Sequence, residues 1–186
     1  TIQTTIAKFT SNLKSNNDVD GVKYLLRSSL KKILIYSSIV FLVYIAFSKI
    51  ISDYLKIESL SSIILIGSLF IIALLLSVTW GVIQGLQLFK SLGYSMILQG
   101  FVKLILGVLL VIIGFGVGGA VVAIVLAFLI PLIMALFRLR KFYGKGIKKY
   151  KTKDILVYSI PVLISMISIT LFFTLDVFLV KHFFSD

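Results

Sequence analysis

Lys103 is the residue whose type and place most invite chemistry. It is the only charged side chain among the 47 residues from Ser91 to Phe137. A cation in such a stretch either faces a cavity and pairs with an anionic group, or bends its stem back to a polar surface. Arg138 follows where the stretch ends, and Gln84 and Gln87 put amides in a polar turn ahead of it. Asp176 lies 22 residues after Asp154, about 33 Å along a helix. It is either an edge residue paired with Lys181 or a carboxylate that couples to a cation or proton. His182 is the only histidine and has no nucleophile beside it, and there is no cysteine. No carboxylate pair inside the membrane, metal-ligand spacing or glycine-rich phosphate loop is present. The residues therefore point to recognition of charge rather than to an enzyme, a metal or a cofactor.

Positioning these residues is the task of long apolar segments. Residues 33–48, 59–89, 104–137 and 155–175 are uncharged. About 18 or more apolar residues in helix suffice to cross a bilayer. The composition agrees, with 59% hydrophobic and 14% charged residues and a mean hydropathy of +1.11. An ordinary globular chain carries about 25% charge. The expected fold class is all-α, a polytopic helical membrane bundle of about five full spans plus an interfacial helix.

Five regions follow along the chain. Residues 1–14 read as the end of a preceding span, in a fragment of a longer protein. Residues 15–32 read as an amphipathic helix, with Asp18 and Asp20 at its start. Val19, Val22, Leu26, Leu30 and Ile33 form one face and Lys23, Arg27 and Lys31 another, as suits a helix resting in the headgroup layer. Residues 33–137 hold four spans, A to D, at about 33–52, 61–82, 94–113 and 117–137. The segment from Ser91 to Phe137 would be roughly 70 Å long as one helix, so it must reverse. The cluster Gly114, Gly116, Gly118 and Gly119 is the expected turn. Residues 138–154 form a basic linker, and 155–186 hold span E.

Lys and Arg distribution orients the bundle. Fifteen fall on one side, in residues 8–32, at Lys90 and in 138–153. Three fall on the other, at Lys49, Lys56 and Lys181, and Lys103 lies within a span. The positive-inside rule then makes 15–32, 83–93 and 138–154 cytoplasmic. The net charge of +12 is parcelled into loops, which suits anionic membrane lipids and not nucleic acid. Pro131 and Pro161 lie within spans D and E, each either a hinge or a static bend. Gly81 and Gly85 make a GxxxG pattern. With Gly93, Gly100 and Gly107 they are expected to let helices approach closely.

The stretch from Trp80 to Lys141, with its GVIQGLQLF turn, its GFGVGGA segment and its basic stop, resembles polysaccharide-biosynthesis flippases of the multidrug/oligosaccharidyl-lipid/polysaccharide exporter superfamily. The beginning is similar to the end of that family's second span and its inner loop. The end, with Ile160-Pro161 and later Leu175-Asp176, is similar to the seventh span, which opens the second lobe. Spans A to E would be the third to seventh of a usual fourteen.

The resemblance implies a MATE-like lobe that works with the remainder of the parent transporter. It implies transport of a lipid-linked oligosaccharide on a polyprenyl diphosphate, for cell-surface polysaccharide, by alternating access at the cell membrane. On this footing Lys103 and Arg138 would meet the diphosphate, with Gln84 and Gln87 as further contacts. Asp176 would be the coupling residue, and Pro131 and Pro161 the hinge. A cation-coupled multidrug exporter of the same fold is the nearest alternative. That chemistry calls for acidic groups at membrane depth, and spans A to D contain none. A membrane scaffold that transports nothing is the alternative of another class. The fragment alone is expected not to transport.

Overall fold

A computed structural model of the chain describes residues 2–50, 60–144 and 160–171. It is a helical membrane bundle. In chain order the helices are α1 (Ile2–Ser15), α2 (Val19–Ala46), α3 (Leu60–Gly85), α4 (Phe89–Leu110), α5 (Gly116–Arg138) and α6 (Ile160–Leu171). α2, α3 and the α4–α5 segment are each long and apolar enough to cross a membrane. α3 is the hub and packs against α1, α2, α4 and α5.

Two sharp corners set this arrangement, and neither uses glycine. α1 ends with Asn17 in the left-handed region, at φ 55°. Asp18 N–H then donates to the Leu13 carbonyl and Asn17 N–H to the Lys14 carbonyl. α3 ends the same way, with Gln87 at φ 60°, Leu88 N–H on the Ile83 carbonyl and Gln87 N–H on the Gln84 carbonyl. These paired bonds satisfy carbonyls that the helix end leaves open. Asp18 then caps α2, its Oδ1 accepting from Gly21 N–H at 2.9 Å. Asp20 pairs with Lys23 at 3.0 Å.

No break separates the amphipathic stretch from span A. α2 runs through both. The face expected to rest on headgroups is largely covered by protein: Val22 and Leu26 are buried, with Leu25 beside them, in one cluster with Ile6, Phe9 and Leu13 of α1 and Val78, Val82 and Ile83 of α3, and Leu30 and Ile33 pack against it. The physical reason is that α1 supplies an apolar partner where periodicity alone leaves lipid and protein equivalent. Val19, by contrast, is exposed. Further along α2, Leu34, Ile35, Ile39, Val40 and Leu42 stay exposed, as lipid-facing residues do at no cost in hydrocarbon.

Gly81 and Gly85 face α1 at very short range. A Cβ on Gly81 would stand 2.7 Å from the Gln3 carbonyl oxygen, and one on Gly85 would stand 2.6 Å from that of Ala7. The GxxxG pattern is therefore a true packing seam. Gly93 and Gly100 are different: nothing lies within 4 Å of a Cβ there, and at Gly107 only Ala123 does, at 3.9 Å. The close approach expected at these three does not occur: α5 meets α4 at Gly107 only at ordinary van der Waals distance.

The reversal between α4 and α5 falls in the glycine cluster. A wide π-type turn covers Val111–Phe115, with Gly114 at φ 105° and Gly116 at φ 53°. Both are left-handed values that cost glycine little. α5 then continues unbroken through the buried Pro131.

Candidate functional site

The larger concavity opens between the start of α4 and the end of α5, at the corner where α3 turns. It has a volume of about 1170 Å³. Lys90, Ser91 and Tyr94 line it from α4, and Arg138, Arg140 and Lys141 from the end of α5 and the turn after it. Its wall continues along Phe101, Ile133 and Phe137.

The frame behind these cations is rigid. Leu139 is 0% exposed and belongs to the main core cluster, and Phe142 packs against it. Between these two anchors a single 3₁₀ turn carries Arg140 and Lys141. Ala135 and Ser95 lie in the floor, at 2% and 4% exposure. Ser95 Oγ accepts a hydrogen bond from Trp80 Nε1 at 2.9 Å, which ties α4 to α3 beneath the cavity.

Charge here is of one sign. Residues 60–153 contain no Asp or Glu, so α3, α4 and α5 offer no carboxylate. Asp18 and Asp20 are the acids among the described residues, and both are used at the start of α2. Tyr143, just past the turn, has its phenol pushed above the ordinary value by burial.

The second concavity is a groove of about 640 Å³ lined by Gly100, Lys103, Leu104, Gly107, Val108, Val111, Ile112 and Ala120. Lys103 is its only charged wall, and the absent side chains of Gly100 and Gly107 provide much of its width. The groove is open along its length, and Lys103 is exposed.

The residues named from the sequence thus separate into three places. Arg138 lines the larger cavity and Lys103 the groove. Gln84 and Gln87 line neither. Gln84 Oε1 accepts from Gln3 Nε2 at 2.9 Å, and Gln87 Oε1 from Lys14 Nζ at 3.0 Å, while Lys14 Nζ also donates to the Leu86 carbonyl at 2.8 Å. Both amides hold α1 to the end of α3. Pro131 is buried within α5, and Pro161 is exposed at the beginning of α6. Asp176 and most of the basic linker lie outside the described residues. Lys90, Arg140 and Lys141 were not singled out as contacts. Their signal was available in the sequence, since three basic residues flank the two ends of an acid-free hairpin.

No curated protein matches the chain significantly. A solved structure does, described as the inward-facing conformation of a multidrug resistance MATE family transporter of the MOP superfamily. The TM-score is 0.71 at 17% identity, over 86% of this chain and 40% of that one. The likeness shows the fold, and the chain spans well under half of that transporter. The polysaccharide biosynthesis protein family matches residues 2–186, essentially end to end, and with the helical bundle and its cationic, acid-free concavities in view, the chain belongs to that family.

Proposed function

We propose that this chain is part of an exporter that carries a polyprenyl-diphosphate-linked oligosaccharide across the cell membrane by alternating access. The observation that carries the reading is Lys103, the single charge on the wall of an otherwise apolar groove within the acid-free helices α4 and α5. A ligand suited to that wall is anionic at one point and apolar beyond it. A diphosphate on an isoprenoid chain has this character. A cationic drug does not, because nothing along α3 to α5 would neutralise it.

In this mechanism the lobe rocks against a second lobe around a site near the midplane. Lys103 holds the diphosphate, Arg138 meets it at the cytoplasmic mouth, and the lipid tail stays in the bilayer. Pro131 and Pro161 serve as flexible points. Gln84 and Gln87 take a supporting part, since they fasten α1 to the corner of α3.

The test uses the full-length protein in liposomes. A fluorescent polyprenyl-diphosphate sugar is loaded in one leaflet and its arrival in the other is followed, with Lys103→Ala beside the parent. The expected loss in the variant is about tenfold or more, the scale of one charge-assisted hydrogen bond of roughly 1.5–3 kcal/mol. Flipping that survives the change makes Lys103 an anchor that reaches back to the surface. Ion-dependent export of a cationic dye without flipping overturns the proposal in favour of the multidrug exporter.

A further inference from the structure

The two sharp corners of the bundle share one residue. Lys14 stands in the last turn of α1, and its carbonyl accepts from Asn17 N–H at 3.0 Å in the corner that follows. Its side chain serves the other corner. Lys14 Nζ crosses to the end of α3 and donates to the Leu86 carbonyl at 2.8 Å and to Gln87 Oε1 at 3.0 Å. α3 has no basic residue in its own last turn, so a different helix supplies the cation there. That charge complements the negative end of the helix dipole and takes up a carbonyl that the helix end leaves open.

The corner that receives the amine is the harder one to hold. Both corners carry a left-handed residue, Asn17 at φ 55° and Gln87 at φ 60°. Asparagine visits that region with comparative ease, through local hydrogen bonds of its short side chain. Glutamine has no such help, and its Cβ is crowded by the following carbonyl oxygen. The φ of Gln87 is rotation about its N–Cα bond. The Leu86 carbonyl lies on one side of that bond and the Gln87 side chain on the other. By holding both, Lys14 closes a ring across this single rotation. Each bond is exposed and small alone, but together they oppose the one motion that would relax the turn.

What depends on that rotation is α4. It begins two residues later, at Phe89, and Leu88 gives it no side-chain cap. The first turn of α4 carries Lys90 and Ser91 of the larger concavity. Beyond it, the Trp80–Ser95 bond holds α4 to α3.

We propose that Lys14 is a positioning residue for α4, a latch that keeps Gln87 left-handed and so sets the direction in which α4 leaves α3. Release of the amine lets Gln87 rotate and the first turn of α4 shift, while the α1–α2 corner stays as it is. This role does not depend on what Lys103 or Arg138 binds.

The experiment measures a distance in the full-length protein in lipid vesicles. This chain has no cysteine, so Arg27→Cys and Phe89→Cys place spin labels at two exposed points, one on α2 and one at the start of α4. Lys14→Met keeps the stem and removes the amine. It is expected to shift or broaden the parental distance. Amide exchange at Leu88 is expected to quicken about tenfold, as loss of charge-assisted bonds predicts, and exchange at Asp18 to stay unchanged. Lys14→Arg retains donors for both acceptors and is expected to restore the parental values. Lys14→Met/Gln87→Gly is the decisive variant, because glycine adopts a positive φ at little cost and needs no latch. It is expected to recover the parental distance. An unchanged distance and exchange in Lys14→Met overturns the proposal. A change that glycine at position 87 does not recover overturns it as well, since Lys14 then only ties α1 to α3.

Discussion

The bundle uses glycine in two opposite ways on neighbouring helices. On α3, Gly81 and Gly85 let α1 come so near that an added Cβ would stand under 3 Å from its backbone. On α4, Gly93 and Gly100 face open space, and Gly107 borders a groove. The first pair closes a seam. The second set leaves room. The difference teaches that a glycine spacing marks a place where bulk is absent, and that the neighbour decides whether the absence is contact or cavity. The two regions also differ in polar wiring. The seam is fastened by Lys14, Gln84 and Gln87, whereas α4 is fastened to α3 through the Trp80–Ser95 bond.

The largest expected effect is at the seam. Gly85→Val places side-chain atoms into Thr10 and the Ala7 carbonyl. Backbone oxygen cannot swing aside as a flexible side chain can, so α1 must shift. Overpacking costs about 1–3 kcal/mol where the surroundings can adjust, and here the expected loss lies at the upper end or beyond. The check is the melting temperature of the full-length protein in detergent, with Gly100→Val as the companion. If the two substitutions destabilise equally, the contrast between seam and groove is broken.

An intermediate effect is expected where the two regions join. Trp80→Phe keeps an aromatic ring, though a smaller one, and removes the indole donor. Ser95 Oγ, in a residue 4% exposed, then loses its partner. A buried group left unsatisfied costs roughly 1–3 kcal/mol. Chemical denaturation of the variant should show a loss in that range. Double substitution Trp80→Phe/Ser95→Ala should recover part of it, because the orphaned hydroxyl is gone. A double variant no better than the single one would show that the hydrogen bond contributes little to holding α4.

Much of the architecture was legible in the sequence because bilayer thickness is a ruler. The 47 residues around Lys103 had to reverse, and Gly114 and Gly116 with their positive φ are where they do. The Asp18 cap was legible for a similar reason, since a short acceptor before an apolar run has few other uses. The corners at Asn17 and Gln87 were not. A left-handed glutamine is uncommon, and it is held there by its place between two helices rather than by propensity. The partner of the amphipathic stretch on α2 was also hidden, because period 3.6 reports a face and not what covers it. At the candidate site, Lys103 stood out as an isolated charge and Arg138 as the first of the basic run that ends the apolar stretch. Their separation into two concavities, and the lining of one of them by Lys90 together with Arg140 and Lys141, depend on which faces α4 and α5 turn to each other, and the hairpin pattern alone does not encode that.

The smallest expected effect has the opposite sign. Gly100→Ala adds a methyl where nothing lies within 4 Å, and removes a residue that costs helix interiors about 0.5–1 kcal/mol relative to alanine. In a helix held by a membrane the gain is expected at the low end, as a small rise in melting temperature. The same methyl narrows the groove beside Lys103. Stability and ligand passage are therefore expected to move apart: the protein becomes slightly more stable while flipping of the lipid-linked sugar slows. Glycine at position 100 would then be retained for the space it leaves. If alanine raises stability and leaves flipping unchanged, Gly100 borders a groove that no ligand uses, and Lys103 loses its claim on the transported diphosphate.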